Sequence, residues 1–320
     1  MNASFSNPAL PTTIPAYLEQ LRAALAGSDP ALVQDALYDA EEYLRSELAE
    51  QSAQGGAKSE AEVIAGVASS YGAPEEVAEI YRDTEVKVQT ALRAPPPRPR
   101  DSAFGRFFGV AADPRTYASL FYMVLSLATG IFYFTWVVTG TSLSAGLSVL
   151  IVGIPFAILF LGSVRMLSLL EGRIVETMLG ERMPRRPLYV GRGKPLMERI
   201  KDMFLDPRTW STVLYFLAML PLGIVYFTLA VTLLSVSLAF IAAPLLTWFG
   251  IAHGELQMDG WQLLNYDGGI LTTSLQWWAL PVVFVTGVVM LFATLHLARG
   301  IGRLHGLFAK HLLVKSAQYS

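Results

Sequence analysis

The sequence predicts an all-α protein in two parts. A small soluble helical domain comes first, followed by a polytopic membrane domain of four transmembrane helices in two parallel two-helix repeats. Three observations carry this. The 320 residues are 53% hydrophobic and 16% charged, with a mean hydropathy of +0.43, too apolar for an ordinary soluble chain. Residues 14–92 instead show polar, amphipathic helical periodicity. Finally, "DPRTYASLFYMVLSLATGIFYFT" from Asp113 returns as "DPRTWSTVLYFLAMLPLGIVYFT" from Asp206.

Residues 1–13 have neither a basic stretch nor an apolar core with a cleavage site, so they are expected to be a disordered N-terminus rather than a removable leader. From Ile14, "IPAYLEQLRAALAG" places Tyr17, Leu21, Ala24 and Leu25 on one stripe and ends at Gly27. The next helix opens with Ser28 as N-cap and Pro30 in the first turn, where a missing N–H is harmless. "SEAEVIAGVASSYG" carries a capping box, Ser59 with Glu62, and stops at Gly72. Pro74 and two acids start a fourth helix. This region holds fifteen Asp/Glu against five Lys/Arg, leaving eleven and nineteen elsewhere. An acidic head therefore precedes a basic body.

The order "YLEQLRAAL", "EEYLRSELAEQ", "SEAEVIAGVASSYGAPEEVAEIY" resembles the HAAS domain, a bacterial helical module attached to membrane and signalling proteins. That resemblance implies a signalling role for residues 14–92 and brings no catalytic residue.

Residues 93–103 form a Pro/Arg-rich linker whose "APPPRPR" should be extended. "FGRFFGV" follows, readable as an interfacial segment or as a hydrophobic lead-in. Membrane repeat 1 is assigned to residues 104–187, with apolar runs Tyr117–Thr139 and Leu143–Leu170 separated by "GTS". Repeat 2 is assigned to residues 188–313, with runs Trp210–Leu234 and Trp277–Leu297 around an outer loop, 250–276; residues 314–320 form a tail. Each run suffices to cross a ~30 Å hydrocarbon core. Pro244 is expected to break the chain after the third run.

The segment 171–209 contains nine Lys/Arg, the stretch after the fourth apolar run, residues 298–320, four, and the outer loop none. By the positive-inside rule both termini are expected in the cytoplasm and the protein in the bacterial inner membrane as a multi-pass protein.

The repeat has a physical reading at each end. Asp113 and Asp206 are placed as N-caps before Pro114 and Pro207, with Arg115 and Arg208 at the lipid phosphates. Tyr133 and Tyr226, roughly 28 Å further on at 1.5 Å per residue, are expected at the opposite headgroup boundary. Gly130 and Gly223 are read as helix-packing positions. The two copies enter from the same side, as parallel repeats.

The two DPRT helices, the "GIP" at Gly153 and "LLEGRIVETMLG" together resemble the sensor domain fused to histidine kinases in many actinobacterial proteins. The likeness covers Asp113–Leu313. No ATP-binding module or phosphoacceptor domain accompanies it, so kinase activity does not carry over.

No P-loop, GxSxG, HExxH or GxGxxG occurs, and the absence of Cys excludes thiolate chemistry. The chain is therefore expected to be no enzyme and to need no cofactor or metal. His296, His305 and His311 are expected at headgroups. No acid is expected deep in an apolar run, which argues against a proton-coupled transporter. The candidate ligand site is the outer loop, with His253, Glu255, Asp259, Trp261, Tyr266 and Asp267, flanked by Trp277 and Trp278; the flanking Trp residues also read as interfacial anchors.

The reading is a non-enzymatic membrane sensor or regulator that couples an envelope-side or in-membrane signal, through residues 14–92, to a cytoplasmic regulatory protein. Membrane lipids are expected partners, nucleic acid is not, and a homo-oligomer is left open. A small transporter or lipid-handling protein, or a membrane scaffold, is the alternative.

Overall fold

The computed structural model describes residues 11–53, 59–92, 102–149, 153–186, 201, 204–249, 255–258, 261–267, 270–271 and 276–314. The start of the N-terminus, the "APPPRPR" spacer and about half of the outer loop fall outside them.

The head is built from α1 (Ile14–Ala24), α2 (Pro30–Ala53), α3 (Glu60–Ser70) and α4 (Pro74–Leu92). The expected stripe forms its core: Tyr17, Leu21 and Leu25 are buried with Ala36, Ala40 and Leu44 of α2, Ile64 and Val67 of α3, and Val77 and Ala78 of α4. Two long-range bonds fix α1 in place. Ile14 N–H donates to Glu60 at 2.9 Å, and Tyr17 Oη donates to the Gly72 carbonyl at 2.8 Å. The Ser59–Glu62 capping box is formed. At α2 the cap is Asp29, which accepts from the Ala31 N–H at 2.9 Å, one residue beyond the expected Ser28. With Pro30 at the first helical position, the residue just before it is the one whose side chain reaches the free amides.

The body contains a short helix α5 (Ala103–Phe108), a 3₁₀ turn (Gly109–Ala112) and four long helices: α6 (Pro114–Leu147), α7 (Gly153–Leu179), α8 (Pro207–Trp248) and α9 (Gln276–Leu313). All four are long and apolar enough to cross a membrane. Their outward faces carry exposed Phe121, Phe132, Leu159, Leu214, Ile224 and Val285, as a lipid-facing bundle requires. This is a multi-pass membrane protein. Phe107 and Phe108 of α5 pack on Phe292 of α9, while Phe104 stays exposed.

Three sequence expectations are corrected. α6 continues through Gly140–Ser142 to Leu147, so "GTS" is helix and the chain reverses after it. α8 continues past Pro244 to Trp248; in a bundle, neighbouring side chains and local helix adjustment accommodate a proline. α7 and α9 extend well beyond the apolar runs, to Leu179 and Leu313.

The most extensive packing is between α6 and α8, and it is reciprocal. A Cβ on Gly130 would lie 2.5 Å from the Met219 carbonyl oxygen, and one on Gly223 2.3 Å from that of Ser126. Met219 and Ser126 occupy the same position in the two copies. Bare backbone at both glycines lets the helices touch along their shared axis.

Beyond the helices, the described residues include a small antiparallel sheet, β1 (Glu255–Met258), β2 (Trp261–Asp267) and β3 (Ile270–Leu271), with β2 central. The sequence reading left this stretch as loop. Asp259-Gly260 and Gly268-Gly269, both among the dipeptides favoured in tight hairpins, separate the strands and were the missed signal.

Candidate functional site

The two DPRT starts set the level of everything at one end of the bundle. Asp113 caps α6 by accepting from the Arg115 N–H at 3.0 Å, and Asp206 caps α8 by accepting from the Arg208 N–H at 2.9 Å. Each cap also takes an ion pair from the other copy: Arg299 of α9 reaches Asp113, and Arg165 of α7 reaches Asp206, both at 2.9 Å. This exchange ties the two hairpins together at the capped end.

Six residues beyond each of those arginines lies an ionisable side chain aimed inward. On α7 it is Glu171, followed by Gly172; on α9 it is His305, followed by Gly306. Glu171 is fully buried and His305 is 1% exposed. Between them stand tyrosines from both repeated phrases. Tyr122 Oη donates to Glu171 Oε1 at 2.7 Å and lies 2.7 Å from His305 Nε2. Its counterpart Tyr215 donates to the same oxygen at 3.0 Å and lies 3.0 Å from the same nitrogen. Tyr133 donates to Glu171 Oε2 at 3.0 Å, and its counterpart Tyr226 lies 3.4 Å from His305 Nδ1. The contacts of one copy are thus repeated by the other, with Glu and His exchanged. Phe216 stacks on Tyr133 with ring centroids 4.4 Å apart, and Phe308 lies beside Tyr215 and His305.

This cluster overturns several expectations. Glu171, which opens the basic segment 171–209, and His305, expected at headgroups, are both inside the bundle because α7 and α9 run further than the apolar pattern. The missing-acid argument against transport therefore lapses. Tyr133 does not mark the opposite headgroup boundary: α6 has 34 residues, about 51 Å at 1.5 Å per residue, and Tyr133 turns into its core. The readable signal was the common spacing Arg165 to Glu171-Gly172 and Arg299 to His305-Gly306, which continues the duplication into the second helix of each hairpin.

A second constellation lies just beyond. Gly180, with φ of 78°, turns the chain out of α7 in a conformation that glycine adopts without strain, and the segment after it meets α2 of the head. Arg182, 10% exposed, binds Asp35 at 2.9 Å and Glu85 at 2.8 Å. The backbone N–H groups of Arg185 and Arg186 both donate to Asp35 Oδ1 at 2.8 Å. Arg186 pairs with Asp39 at 2.9 Å, and Lys310 of α9 pairs with Asp29. Arg208, expected at lipid phosphates, is buried and donates to Gln34 of the head at 2.8 Å. Ala31 joins the buried cluster of the body. A cleft of about 320 Å³ runs along this seam, lined by Asp35, Asp39, Glu85, Arg173 and Arg182 among others. Burial pushes the Asp35 carboxyl above the usual carboxylate range, against the pull of the two amides and Arg182.

The remaining predicted positions are not gathered into either constellation. Arg115 is exposed. His296 is exposed and meets the Phe107 carbonyl at 3.0 Å, and His311 is exposed. Of the outer-loop candidates, Glu255, Trp261, Tyr266 and Asp267 lie on the strands, and Trp277 and Trp278 in the first turn of α9; their side chains, and His253 and Asp259 altogether, lie outside the described residues. Among the described residues no group of three or more His, Asp or Glu could hold a metal ion.

Residues 122–313, more than half of the chain, match the family described as "Putative sensor". The chain belongs to this family. Its matched range opens at Tyr122 and closes at Leu313, so all six cluster residues fall within the sensor domain, and the head does not. Neither a curated protein nor a solved structure matches the chain.

Proposed function

We propose that this member of the sensor family converts a change in its membrane bundle into release or presentation of its acidic head to a protein partner on the cytoplasmic side. One observation carries the reading: the tyrosine cluster and the ion-paired seam between head and body, the clasp, share their helices. α7 carries Glu171 and, just past its end, Arg182; α9 carries His305 and, five residues on, Lys310. A rotation or shift of either helix that disturbs the cluster also moves a clasp residue, which is what coupling between two sites requires. The count of basic residues in the loops supports placing the clasp and both termini in the cytoplasm, and the likeness of residues 14–92 to the HAAS module supports a signalling role for the head.

The test places spin labels at Glu42→Cys and Arg303→Cys, a pair introduced into a chain with no native Cys, in lipid nanodiscs. A short distance in the native background that lengthens with Arg182→Ala supports a releasable clasp. Co-purification from native membranes then compares the full chain, the released variant and a form without residues 1–92. A partner whose capture changes between the first two and vanishes in the third supports the output; capture indifferent to the head counts against it. Flux through reconstituted vesicles would favour the transporter alternative.

A further inference from the structure

With Glu171 ionised, the hydrogen-bond inventory of the cluster settles every contact of Glu171 and His305 but one. A carboxylate only accepts, so Tyr122, Tyr133 and Tyr215 each give it their single hydroxyl proton. Tyr122 and Tyr215 then have only lone pairs to offer His305, and both face Nε2. Nε2 must therefore carry hydrogen. The other ring nitrogen, Nδ1, faces Tyr226, whose hydroxyl proton is still uncommitted.

Two states satisfy that last contact. In one, Tyr226 donates to a bare Nδ1, and the cluster holds a lone carboxylate with net charge −1. In the other, Nδ1 carries a second ring proton and donates to Tyr226, and imidazolium balances carboxylate across the two shared tyrosines. Away from water an unbalanced charge is costly, and the balanced state removes that cost. The two Nδ1-side and Oε2-side tyrosines also differ in access: Tyr133 is 2% exposed, whereas Tyr226 is only half-buried. Other groups facing His305 are few. Tyr122 comes from α6, Glu171 from α7, and Tyr215 and Tyr226 from α8; Glu181 lies against neighbouring Gly306, while on α9 itself Arg303 points outward and Lys310 is engaged by Asp29.

We propose that the cluster is a proton-binding site in which His305 Nδ1 gains and loses the proton, Glu171 is the counter-charge, and Tyr226 is the hydroxyl through which the proton exchanges with solvent. The closed bundle keeps the proton. Opening lets water reach Glu171 and removes the reason to keep it, so by linkage proton release and bundle opening favour each other. The site stands on its own geometry and rests on the sensor reading only for what it controls.

The experiment is ¹⁵N NMR of histidine-labelled full-length protein in nanodiscs, scanned between about pH 5 and 9, where an imidazole is able to change charge. Loss of one set of signals in His305→Asn assigns the ring among the four histidines. Expected are an imidazolium at the acid end, a neutral ring with hydrogen on Nε2 at the alkaline end, and a shifted midpoint in Tyr226→Phe. Glu171→Gln should leave His305 neutral throughout. A His305 that stays neutral across the whole range in the native protein overturns the proposal, as does a neutral form protonated at Nδ1 or unchanged titration in Glu171→Gln. If Glu171→Gln does not fold, the native tautomer and Tyr226→Phe still decide. The spin-label distance is recorded on the same samples: titration of His305 with no change in head distance would sink the coupling reading and leave the proton site standing.

Discussion

The inner cluster and the outer clasp are both built from charged and polar side chains, yet they answer to opposite physics. In the cluster, every polar atom of Glu171 and His305 is matched by a tyrosine and water is excluded, so each contact is strong and loss of a member leaves the others stranded. In the clasp, several carboxylates meet several cations at graded exposure, from Arg182 at 10% to Arg186 at 52%. The exposed members of such a set, Arg186 with Asp39 among them, are weak, screened by salt and replaceable by water, while the buried pairing of Arg182 with Asp35 holds more firmly. The cluster is thus suited to hold one arrangement, and the clasp to let go.

Substitutions separate the two. Glu171→Leu strands three hydroxyls and an imidazole, and is expected to cost about 3–5 kcal/mol, read as a large drop in thermal unfolding temperature in detergent; an unchanged temperature would mean the cluster bears no weight. Arg182→Ala should cost about 1.5–3 kcal/mol of head docking while leaving bundle unfolding nearly untouched, measured by label distance and calorimetry together. A bundle that loosens in this variant would erase the contrast. Gly223→Val places a side chain against the Ser126 carbonyl and should cost about 1–3 kcal/mol, perturbing the cluster because α6 and α8 supply its tyrosines and reaching the clasp through Arg208 of α8. The smallest effect concerns acidity. Asp35 is held above its ordinary range only while docked, so docking takes up protons: Asp35 favours docking as pH falls through its docked-state value and this contribution fades as pH rises above it. Asp35→Asn should flatten the acid part of the pH profile of the label distance.

The head, its capping box and the four crossings could be read from sequence because each is a local pattern: a 3.6-residue period, a Ser59–Glu62 pair, runs of apolar residues. The caps at Asp113 and Asp206 were equally local. The cluster was hidden because Glu171 follows directly on an apolar run and His305 lies in a basic tail, so hydropathy places both outside the membrane helices. Only the helix length revealed by packing carries them inward. The clasp joins Asp35 to Arg185 and Arg186 across a separation that no period encodes; the sequence showed the opposed charges of head and body but not that the two meet.

The exchange of Glu and His at equivalent positions has one more consequence. A protein made of two like hairpins could in principle pair a hairpin with the same hairpin from another chain. Two first hairpins would set two carboxylates around the same pair of tyrosines, with nothing to give a proton. Two second hairpins would set two imidazoles there, with no anion to answer them. The unlike pairing sets an acceptor-only carboxylate against a ring that can donate to both tyrosines, so the difference at this one position favours each half pairing with the other over its own copy.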